Sequence, residues 1–568
     1  MSKRLASLSI FAWLLFALLA SASAQRSEPA ATPRLVVLIS IDQFRADYLT
    51  RFEDLFLPAR TAGGVGGFRW FMDRGAWYVD AHHDHMPLAT GPGHSILLTG
   101  APPYKSGIVG NDWYDRDLKK DVYCVQDDNS PIVGTDTKMI GISPEHLRVT
   151  TVGDELKIAT GGKARVFGIS LKDRAAVLMA GHLADGVYWF DYNAGRWVTS
   201  HYYRKDETLP AWVEELNREK LPDAYFDKTW NPVTPDSAKR VWTPTGKYAA
   251  DRGLGAEFPH VMNAGQTAPN AKYYSAFTGT PFANEFVLNS AERLIREEKL
   301  GQDETPDVLA INLASNDYIG HTYGATSREV LDVTVQTDRM LSKFFNDLNG
   351  MVPGGLSNVT VVITADHGAS PNTTAMRESG IPGGWWNPID AVKVVQAAME
   401  AAFGRGHWII EYNEPYLWLD HDALKAKKIP LEHAEEVAAR AMESVKGVYA
   451  CYTRSKVLEG LVPNTDIAHH VTLGWHPALS GDVVVISQPF FVPATNAKGG
   501  THGEPYAYDT RVPLLVQGFG VRSGTYTERV STLDIAPTLS FLLHTNQPSG
   551  CEGRILSRAL LADGPRGR

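Results

Sequence analysis

The sequence feature that most constrains the fold is a set of short, almost uninterrupted apolar runs. The first is LVVLISID at residues 35–42, and comparable runs occur at 164–174, 306–317, 360–368 and 511–518. A strand that is buried on both faces needs such a run, because all of its side chains meet a packed layer. Helical or irregular sequence separates the runs. We therefore predict an α/β fold with a mostly parallel central sheet flanked by helices.

The segments between the runs indicate how the chain is organised. Residues 283–298 and 327–348 have the apolar spacing of helices that lie on a sheet. Residues 185–280 are rich in Trp, Tyr, Pro and Asn, and residues 376–495 contain a helix–strand–helix pattern of their own. The predicted organisation is a signal peptide at 1–24, a linker at 25–33, a core in three parts at 34–184, 281–375 and 496–560, a cap or insertion at 185–280, and a small α+β subdomain at 376–495.

The N-terminal residues have the pattern of a secretory signal peptide. Lys3 and Arg4 precede an apolar run, and Ala22-Ser23-Ala24 provides small residues for cleavage before Gln25. No later segment approaches the length of a membrane span. We expect a periplasmic or secreted protein, with an uncleaved membrane anchor as the alternative.

The composition argues against some partners and sites. The formal net charge is −9, which disfavours a basic surface of the kind that binds nucleic acid. Cys124, Cys451 and Cys551 are far apart and form no CxxC pair, which disfavours a thiolate zinc site. We expect no nucleic-acid partner and no membrane span in the mature chain. The sequence leaves the oligomeric state open, with a monomer favoured.

Potential metal ligands stand at the ends of several predicted strands. Three are carboxylates and three are imidazoles: Asp42, Asp317, His321, Asp366, His367 and His502. Open α/β sheets bind ligands beyond the carboxyl ends of their strands, so these side chains are expected to converge. Taken singly, each is more often a turn, cap, core or surface residue. As a set, these nitrogen and oxygen donors suit a pair of zinc ions.

The stretch LATGPGHS contains a candidate nucleophile, Thr90. Gly91 and Pro92 follow it, which predicts a helix with Thr90 as its N-cap. A hydroxyl there lies at the positive end of the helix, where backbone N–H groups attract anions such as phosphate. Metal coordination can hold such a hydroxyl as a nucleophilic alkoxide. The simpler alternative is that Thr90 only caps its helix.

Taken in order, these motifs resemble the alkaline phosphatase superfamily. The resemblance covers residues 34–540 and rests on Asp42, Thr90 in ATGPGHS, Asn111 in GNDWYD, Asp317-x3-His321, ADHG at 365–368 and THGE at 501–504. It is closest to the phosphate-irrepressible bacterial alkaline phosphatases, which use a threonine nucleophile. Nucleotide pyrophosphatase/phosphodiesterases are nearer kin than the serine-dependent alkaline phosphatases.

The resemblance implies an alkaline phosphatase-like fold with two zinc ions as cofactors. One zinc would be held by Asp317, His321 and His502. The other would be held by Asp42, Asp366, His367 and the Thr90 oxygen. Thr90 would be phosphorylated transiently, and water would hydrolyse that intermediate. No motif marks the magnesium site of the serine-dependent enzymes.

Lys172 and Arg174 in ISLKDRAA bear on the choice of substrate. They stand two apart at the end of a predicted strand, so both side chains are expected to lean the same way. A monoester carries more charge than a diester, so added cations favour it. The resemblance implies that this pair and Asn111 contact the phosphoryl group, while an ordinary solvated basic pair is the alternative. We predict an alkaline phosphatase that hydrolyses small-molecule phosphate monoesters, with a phosphodiesterase or nucleotide pyrophosphatase using the same two zinc ions as the alternative.

Other classes fit the sequence less well. Sulfatases share the fold, but TGPGH lacks both the Cys or Ser and the Arg of their C/S-x-P-x-R motif. GHSIL at 93–97 lacks the second glycine of a serine-hydrolase nucleophile elbow. A zinc-binding protein without activity would have no reason to keep Thr90, Asn111, Lys172 and Arg174 near the metals.

The histidines around Thr90 have no place in the ligand set. They are His82, His83, His85 and His94, and Asp84 is unassigned as well. We expect them to be structural or to support the ligands from behind.

Overall fold

The computed structural model describes residues 32–233, 245–250, 252–495 and 498–561. The predicted signal peptide and most of the predicted linker lie outside these residues. Within the described part of the chain, no helix is both long enough and apolar enough to cross a membrane.

An 11-stranded sheet forms the centre of the molecule. Four central strands, β1 (Leu35–Ile41), β2 (Val166–Ser170), β3 (Asp307–Leu313) and β4 (Val359–Thr364), lie parallel in the spatial order β4–β1–β3–β2. A fifth parallel strand, Gly186–Asp191, pairs with β2. The remaining strands of this sheet are Ala76–His82, Ile132–Val133, Arg196–Ser200, Arg511–Gly518, Gly524–Tyr526 and Val530–Ser531.

Both faces of β1 are buried, which explains its unbroken apolar sequence. Its side chains alternate between two hydrophobic clusters, with Leu35, Val37 and Ile39 in one and Val36 and Leu38 in the other. Helices Pro281–Glu297 and Arg328–Met351 agree closely with the two helices predicted from apolar spacing. The predicted α/β class and the mostly parallel central sheet are confirmed.

Three further helices carry residues that matter below: α1 (Thr90–Thr99), α2 (Asp173–Ala180) and α3 (Ser315–Tyr323). The other helices of eight or more residues are Val152–Ala159, Ala211–Glu219, Ala271–Thr278, Pro388–Phe403, Leu431–Glu443, Asp466–Gly474 and Ile535–Leu543. Shorter α-helices are Asp47–Arg51, Phe68–Arg74, Pro103–Ser106, Thr245–Tyr248, Thr373–Glu378, His421–Ala426, Arg454–Leu458 and Ala507–Thr510.

A separate four-stranded antiparallel sheet lies within the predicted α+β subdomain. Its strands are, in spatial order, Ile409–Asn413, Tyr416–Leu419, Val483–Ser487 and Val448–Thr453. Helices Pro388–Phe403 and Leu431–Glu443 pack on it. Four two-stranded ribbons complete the fold: Arg60–Thr61 with Gly64–Val65, Asp112–Asp115 with Lys120–Tyr123, Thr229–Trp230 with His260–Val261, and Gly384–Trp386 with Phe491–Pro493.

Three elements differ from the sequence expectations. Arg511–Gly518 was expected to be parallel but runs antiparallel to β4. Its sequence could not show this, because a strand buried on both faces has the same apolar pattern in either direction. Gly186–Asp191 and Arg196–Ser200 belong to the main sheet rather than to a cap that begins at residue 185; their aromatic-rich sequence lacks the aliphatic run of the other strands. The single strand expected between the two helices of residues 376–495 is a hairpin that reverses at Glu414 and Pro415.

Candidate active site

The six candidate ligands converge at one edge of the main sheet. Asp42 directly follows β1, while Asp366 and His367 come just after β4. Asp317 and His321 lie one turn apart on α3, which follows β3. His502 precedes Arg511–Gly518, and because that strand is antiparallel, its start lies beside the ends of the parallel strands.

The converging side chains form two groups of three. Asp317, His321 and His502 present ligand atoms within 4.8 Å of one another, and Asp42, Asp366 and His367 do the same. Neighbouring donor atoms are 3.1 Å apart for His321 Nε2 and Asp317 Oδ1, and 3.2 Å apart for His367 Nε2 and Asp366 Oδ2. Donors held tetrahedrally at about 2.0–2.1 Å from a zinc ion are about 3.3 Å apart, so the spacing fits zinc.

Hydrogen bonds to the backbone orient the three histidine rings. In each ring, Nδ1 lies 2.6–2.9 Å from a carbonyl oxygen: that of Gly500 for His321, of Leu88 for His502 and of Gly368 for His367. The proton therefore lies on Nδ1, and the Nε2 lone pair remains available as a donor to a metal.

Several buried ligand atoms lack a hydrogen-bond partner. Asp42 Oδ1, Asp366 Oδ2 and His367 Nε2 make no hydrogen bond among the described residues, although Asp366 Oδ2 lies in ion-pair contact with the ring nitrogens of His94 and His367 at 3.2 Å. Buried polar atoms are almost always satisfied, so a group of such acceptors is the environment that a bound cation completes. The residues present therefore fit a metal ion.

Burial and charge together set the ionisation of these groups. Burial, reinforced by the charge of Asp366, raises the pKa of Asp42 to about 6. Burial and the neighbouring His367 and His321 hold the pKa of His502 well below its usual value, which keeps this imidazole neutral. Burial acts against the ammonium of Lys172, but the carboxylates of Asp317 and Asp42 outweigh it and raise the pKa of Lys172.

Thr90 lies at the N-terminus of α1 but does not cap it. Ala89, with extended backbone, is the N-cap, and no side chain caps this helix, so the predicted capping position was wrong by one residue. Thr90 is 1% exposed, and its hydroxyl faces two cations instead. Lys172 Nζ and Arg174 Nη2 each lie 3.3 Å from Thr90 Oγ1. These surroundings stabilise negative charge on the hydroxyl oxygen.

Lys172 and Arg174 both contact Thr90, but not from one face of a strand as the sequence predicted. Because β2 ends at Ser170, the two residues do not share one face of a strand. Lys172 is the N-cap of α2 and Arg174 lies in the first turn of that helix. Both side chains meet Thr90 because α2 packs against α1.

Neighbouring groups hold the two cations in place. Arg174 donates to the Tyr123 hydroxyl at 3.2 Å, and that hydroxyl donates to Asp173 at 2.5 Å. Lys172 Nζ lies 2.6 Å from Asp317 Oδ2 and 2.8 Å from Asp42 Oδ2, so it contacts one carboxylate of each ligand group.

Asn111 completes the surroundings of Thr90. Its Oδ1 accepts a hydrogen bond from the Gly91 N–H at 2.8 Å, which fixes the amide beside the first turn of α1. Asn111 also lines a pocket of about 260 Å³ together with His321, His502 and Glu414. The pocket therefore reaches two members of one ligand group, His321 and His502.

Comparison with known proteins identifies the family. Residues 36–507 match the model of the type I phosphodiesterase / nucleotide pyrophosphatase family. This chain belongs to that family. Alkaline phosphatase PafA from Elizabethkingia meningoseptica is 34% identical over 96% of this chain and 98% of its own length. Alkaline phosphatase PhoV from Synechococcus elongatus is 34% identical over 94% of each chain.

A solved structure agrees with this assignment. The crystal structure of wild-type PafA superposes with a TM-score of 0.86 and 33% identity, covering 94% of this chain and all of that one. A PafA variant with a threonine, an asparagine, a lysine and an arginine substituted gives a TM-score of 0.85 at 31% identity. The predicted membership of the alkaline phosphatase superfamily, and its fold, are confirmed.

Two residues beside the candidate ligands were not predicted. Gln43 is 3% exposed and has a φ of 61°. Its backbone N–H donates to Asp366 Oδ1 at 3.1 Å and its Nε2 donates to Asp317 Oδ1 at 2.7 Å, so it bridges the two ligand groups. The ring of Tyr318 lies under Lys172, with Nζ 5.1 Å from its centroid. Their only sequence signal is adjacency to Asp42 and Asp317.

The histidines of the HHDHMPLATGPGHS stretch stay outside both ligand groups. His82 contacts Asp80 and Thr510, and His83 donates to the carbonyl oxygen of Ala365 at 2.9 Å. His94 differs from the others, because its Nδ1 lies 3.2 Å from Asp366 Oδ2.

Proposed function

We propose that this protein is a two-zinc alkaline phosphatase that hydrolyses small-molecule phosphate monoesters through a phosphothreonine intermediate on Thr90. Its nearly full-length relatives are named alkaline phosphatases, which confirms the prediction of a hydrolase of this class. The zinc ions and the intermediate rest on the geometry of the site. The observation that carries the proposal is the Thr90 hydroxyl, 3.3 Å from each of two cations and beside two groups of metal-binding atoms.

The two ligand groups support this proposed assignment of the metals. Asp317, His321 and His502 would hold one zinc ion, and Asp42, Asp366, His367 and Thr90 would hold the other. When bound, the ions would supply Lewis-acid stabilisation of the attacking and leaving oxygens.

Side chains of the protein bind the phosphoryl group, and Thr90 accepts it from the substrate before water removes it. Thr90 Oγ1 loses its proton to solvent and forms a bond to phosphorus while the bond to the alcohol oxygen breaks. The alcohol oxygen leaves with that electron pair and takes up a proton from solvent. Water then loses a proton to solvent and attacks phosphorus, and the Oγ1–P bond breaks. Oγ1 keeps the electron pair and takes up a proton, which restores the Thr90 hydroxyl and releases inorganic phosphate. Lys172 and Arg174 neutralise the phosphoryl oxygens in both steps, and the Asn111 amide donates to the same group.

The cationic pair favours monoesters over diesters, because a monoester phosphoryl group carries the larger negative charge. The four residue types substituted in the PafA variant occur in the same order as Thr90, Asn111, Lys172 and Arg174, which supports their assignment as functional residues. The family description favours a phosphodiesterase or nucleotide pyrophosphatase as the alternative. We also propose that the protein is periplasmic or secreted after cleavage near Ala24 and Gln25.

The test compares an aryl phosphate monoester with the matched diester, before chelation, after chelation, and after zinc is returned. We expect faster turnover of the monoester, loss of turnover on chelation, and recovery with zinc. Faster turnover of the diester would establish the alternative. No turnover of either ester by the zinc-loaded protein would indicate a binding protein.

A further inference from the structure

A buried chain of polar side chains connects the ligand Asp366 to the segment that carries Lys172. Its three members are His94 on α1, Asn312 on β3 and Ser170 at the end of β2. All three are 0% exposed. Polar groups at this depth are costly unless each is hydrogen-bonded, so the arrangement of their contacts is restricted.

The contacts join end to end without a gap. The Lys172 N–H donates to Ser170 Oγ at 2.8 Å, and the Ser170 hydroxyl donates to Asn312 Oδ1 at 2.8 Å. Asn312 Nδ2 lies 2.9 Å from His94 Nε2. His94 Nδ1 lies 2.9 Å from the carbonyl oxygen of Thr90 and 3.2 Å from Asp366 Oδ2.

Only one pattern of protons satisfies this chain. Both neighbours of His94 Nδ1 are acceptors, so the ring proton lies on Nδ1, and Nε2 accepts from the amide of Asn312. The amide oxygen then accepts from Ser170, whose own oxygen accepts from Lys172. In this pattern every donor faces an acceptor, so each group restricts the orientation of the next.

The register of the sheet places these polar side chains near the carboxyl ends of the strands, beside the candidate site. Asn312 is the register partner of Ser170 on one side and of Ser40 on the other. Asn312 Nδ2 also lies 3.3 Å from the carbonyl oxygen of Ser40, two residues before Asp42. The hydrogen-bonded side chains therefore span β1, β3 and β2 close to the ends of these strands, which the site residues follow.

We propose that His94, Asn312 and Ser170 are positioning residues that hold Lys172 and Asp366 in fixed relation to Thr90. This inference rests on the proposed function, because that function assigns Lys172 to the phosphoryl group and Asp366 to a metal. The two ends of this chain of polar side chains then have separable effects. The Ser170 end controls monoester turnover, and the His94 end controls how firmly zinc is held.

The Ser170 end is tested by a double-mutant cycle with Lys172. Ser170→Ala is expected to lower kcat/KM for the monoester by about 10- to 100-fold, and that for the diester by less, because a small displacement of a positioned group has such effects. In a Lys172→Ala background, Ser170→Ala should cause a much smaller loss, since most of its effect on the monoester passes through the Lys172 side chain. Equal losses in both backgrounds would overturn the inference.

A matched control lies at the same edge of the sheet. The buried Thr364 hydroxyl has no hydrogen-bond partner among the described residues, so Thr364→Val should leave both rates unchanged. A loss of monoester turnover as large as that of Ser170→Ala would mean that any change at this edge disturbs the site, and would overturn the inference.

The His94 end is tested by zinc retention during dialysis against a chelator. His94→Asn keeps an N–H near the position of Nδ1, whereas His94→Gln keeps a polar group only near Nε2. We expect His94→Gln to lose zinc several-fold faster than His94→Asn, and equal rates would overturn the inference. Absence of monoester turnover by the unmodified protein would overturn the proposed function instead. The comparison of zinc loss would still test whether His94 positions Asp366.

Discussion

Replacing Arg174 with alanine isolates one cation of the proposed phosphoryl site. Its guanidinium contacts Tyr123 and the Thr90 hydroxyl. Lys172 also pairs with Asp42 and Asp317, so its removal would disturb two ligand carboxylates at the same time. The arginine substitution therefore gives the cleaner measure of how much a cation contributes to monoester hydrolysis.

The expected size of the effect follows from the charge of the substrate. A hydrogen bond to a charged group contributes about 1.5–3 kcal/mol, and loss of one preorganised donor to a developing anion slows catalysis by about 10²–10³. We expect Arg174→Ala to lower kcat/KM by about 100-fold or more for an aryl monoester and by about tenfold or less for the matched diester.

The assay measures kcat/KM for both esters with the unmodified protein and three variants. Arg174→Lys keeps the charge but loses the planar fork of donors, so it should fall between the unmodified protein and the alanine variant. Arg405→Ala, at an exposed position on the subdomain, is the control and should change neither rate. Equal losses for monoester and diester in Arg174→Ala would refute the reasoning, because the arginine would then be structural.

Two further predictions concern the metals and the pH dependence. His321→Ala should reduce the zinc content by one ion per chain in elemental analysis, while the exposed His407→Ala should leave it unchanged; an unchanged content in His321→Ala would remove His321 from the ligands. Burial, and then the charge of Asp509, raises the pKa of Glu414 to about 8. Since Glu414 lines the pocket, its ionisation above pH 8 adds a negative charge there, so KM for a monoester should rise above that pH. Glu414→Gln should remove the rise, and the same pH profile in both proteins would contradict this.

The fold class and the convergence of the ligands could be predicted from local sequence. An unbroken apolar run predicts a strand that is buried on both faces. A carboxylate at the end of that run is then expected at the carboxyl edge of the sheet, where such folds bind ligands. Asp42, Asp317 and Asp366 can be identified in this way without knowledge of the neighbouring strands. His502 is different, because it precedes its strand and lies at this edge only since that strand is antiparallel, which the sequence does not show.

The finer geometry could not be predicted, because it depends on packing between distant segments. The convergence of Lys172 and Arg174 comes from the packing of two helices, not from alternation along a strand. The roles of Gln43 and His94 depend on contacts with residues 218 or more positions away in the sequence. No local pattern carries that information.

The most direct test of the central claim is to trap the phosphorylated enzyme. The protein is mixed with a monoester, quenched in acid during turnover, and its peptides are analysed by mass spectrometry. We expect one phosphoryl group on Thr90 during turnover. It should be absent from Thr90→Ala, which should also be inactive. Monoester turnover with no phosphoryl group on Thr90, or full activity in Thr90→Ala, would contradict this claim.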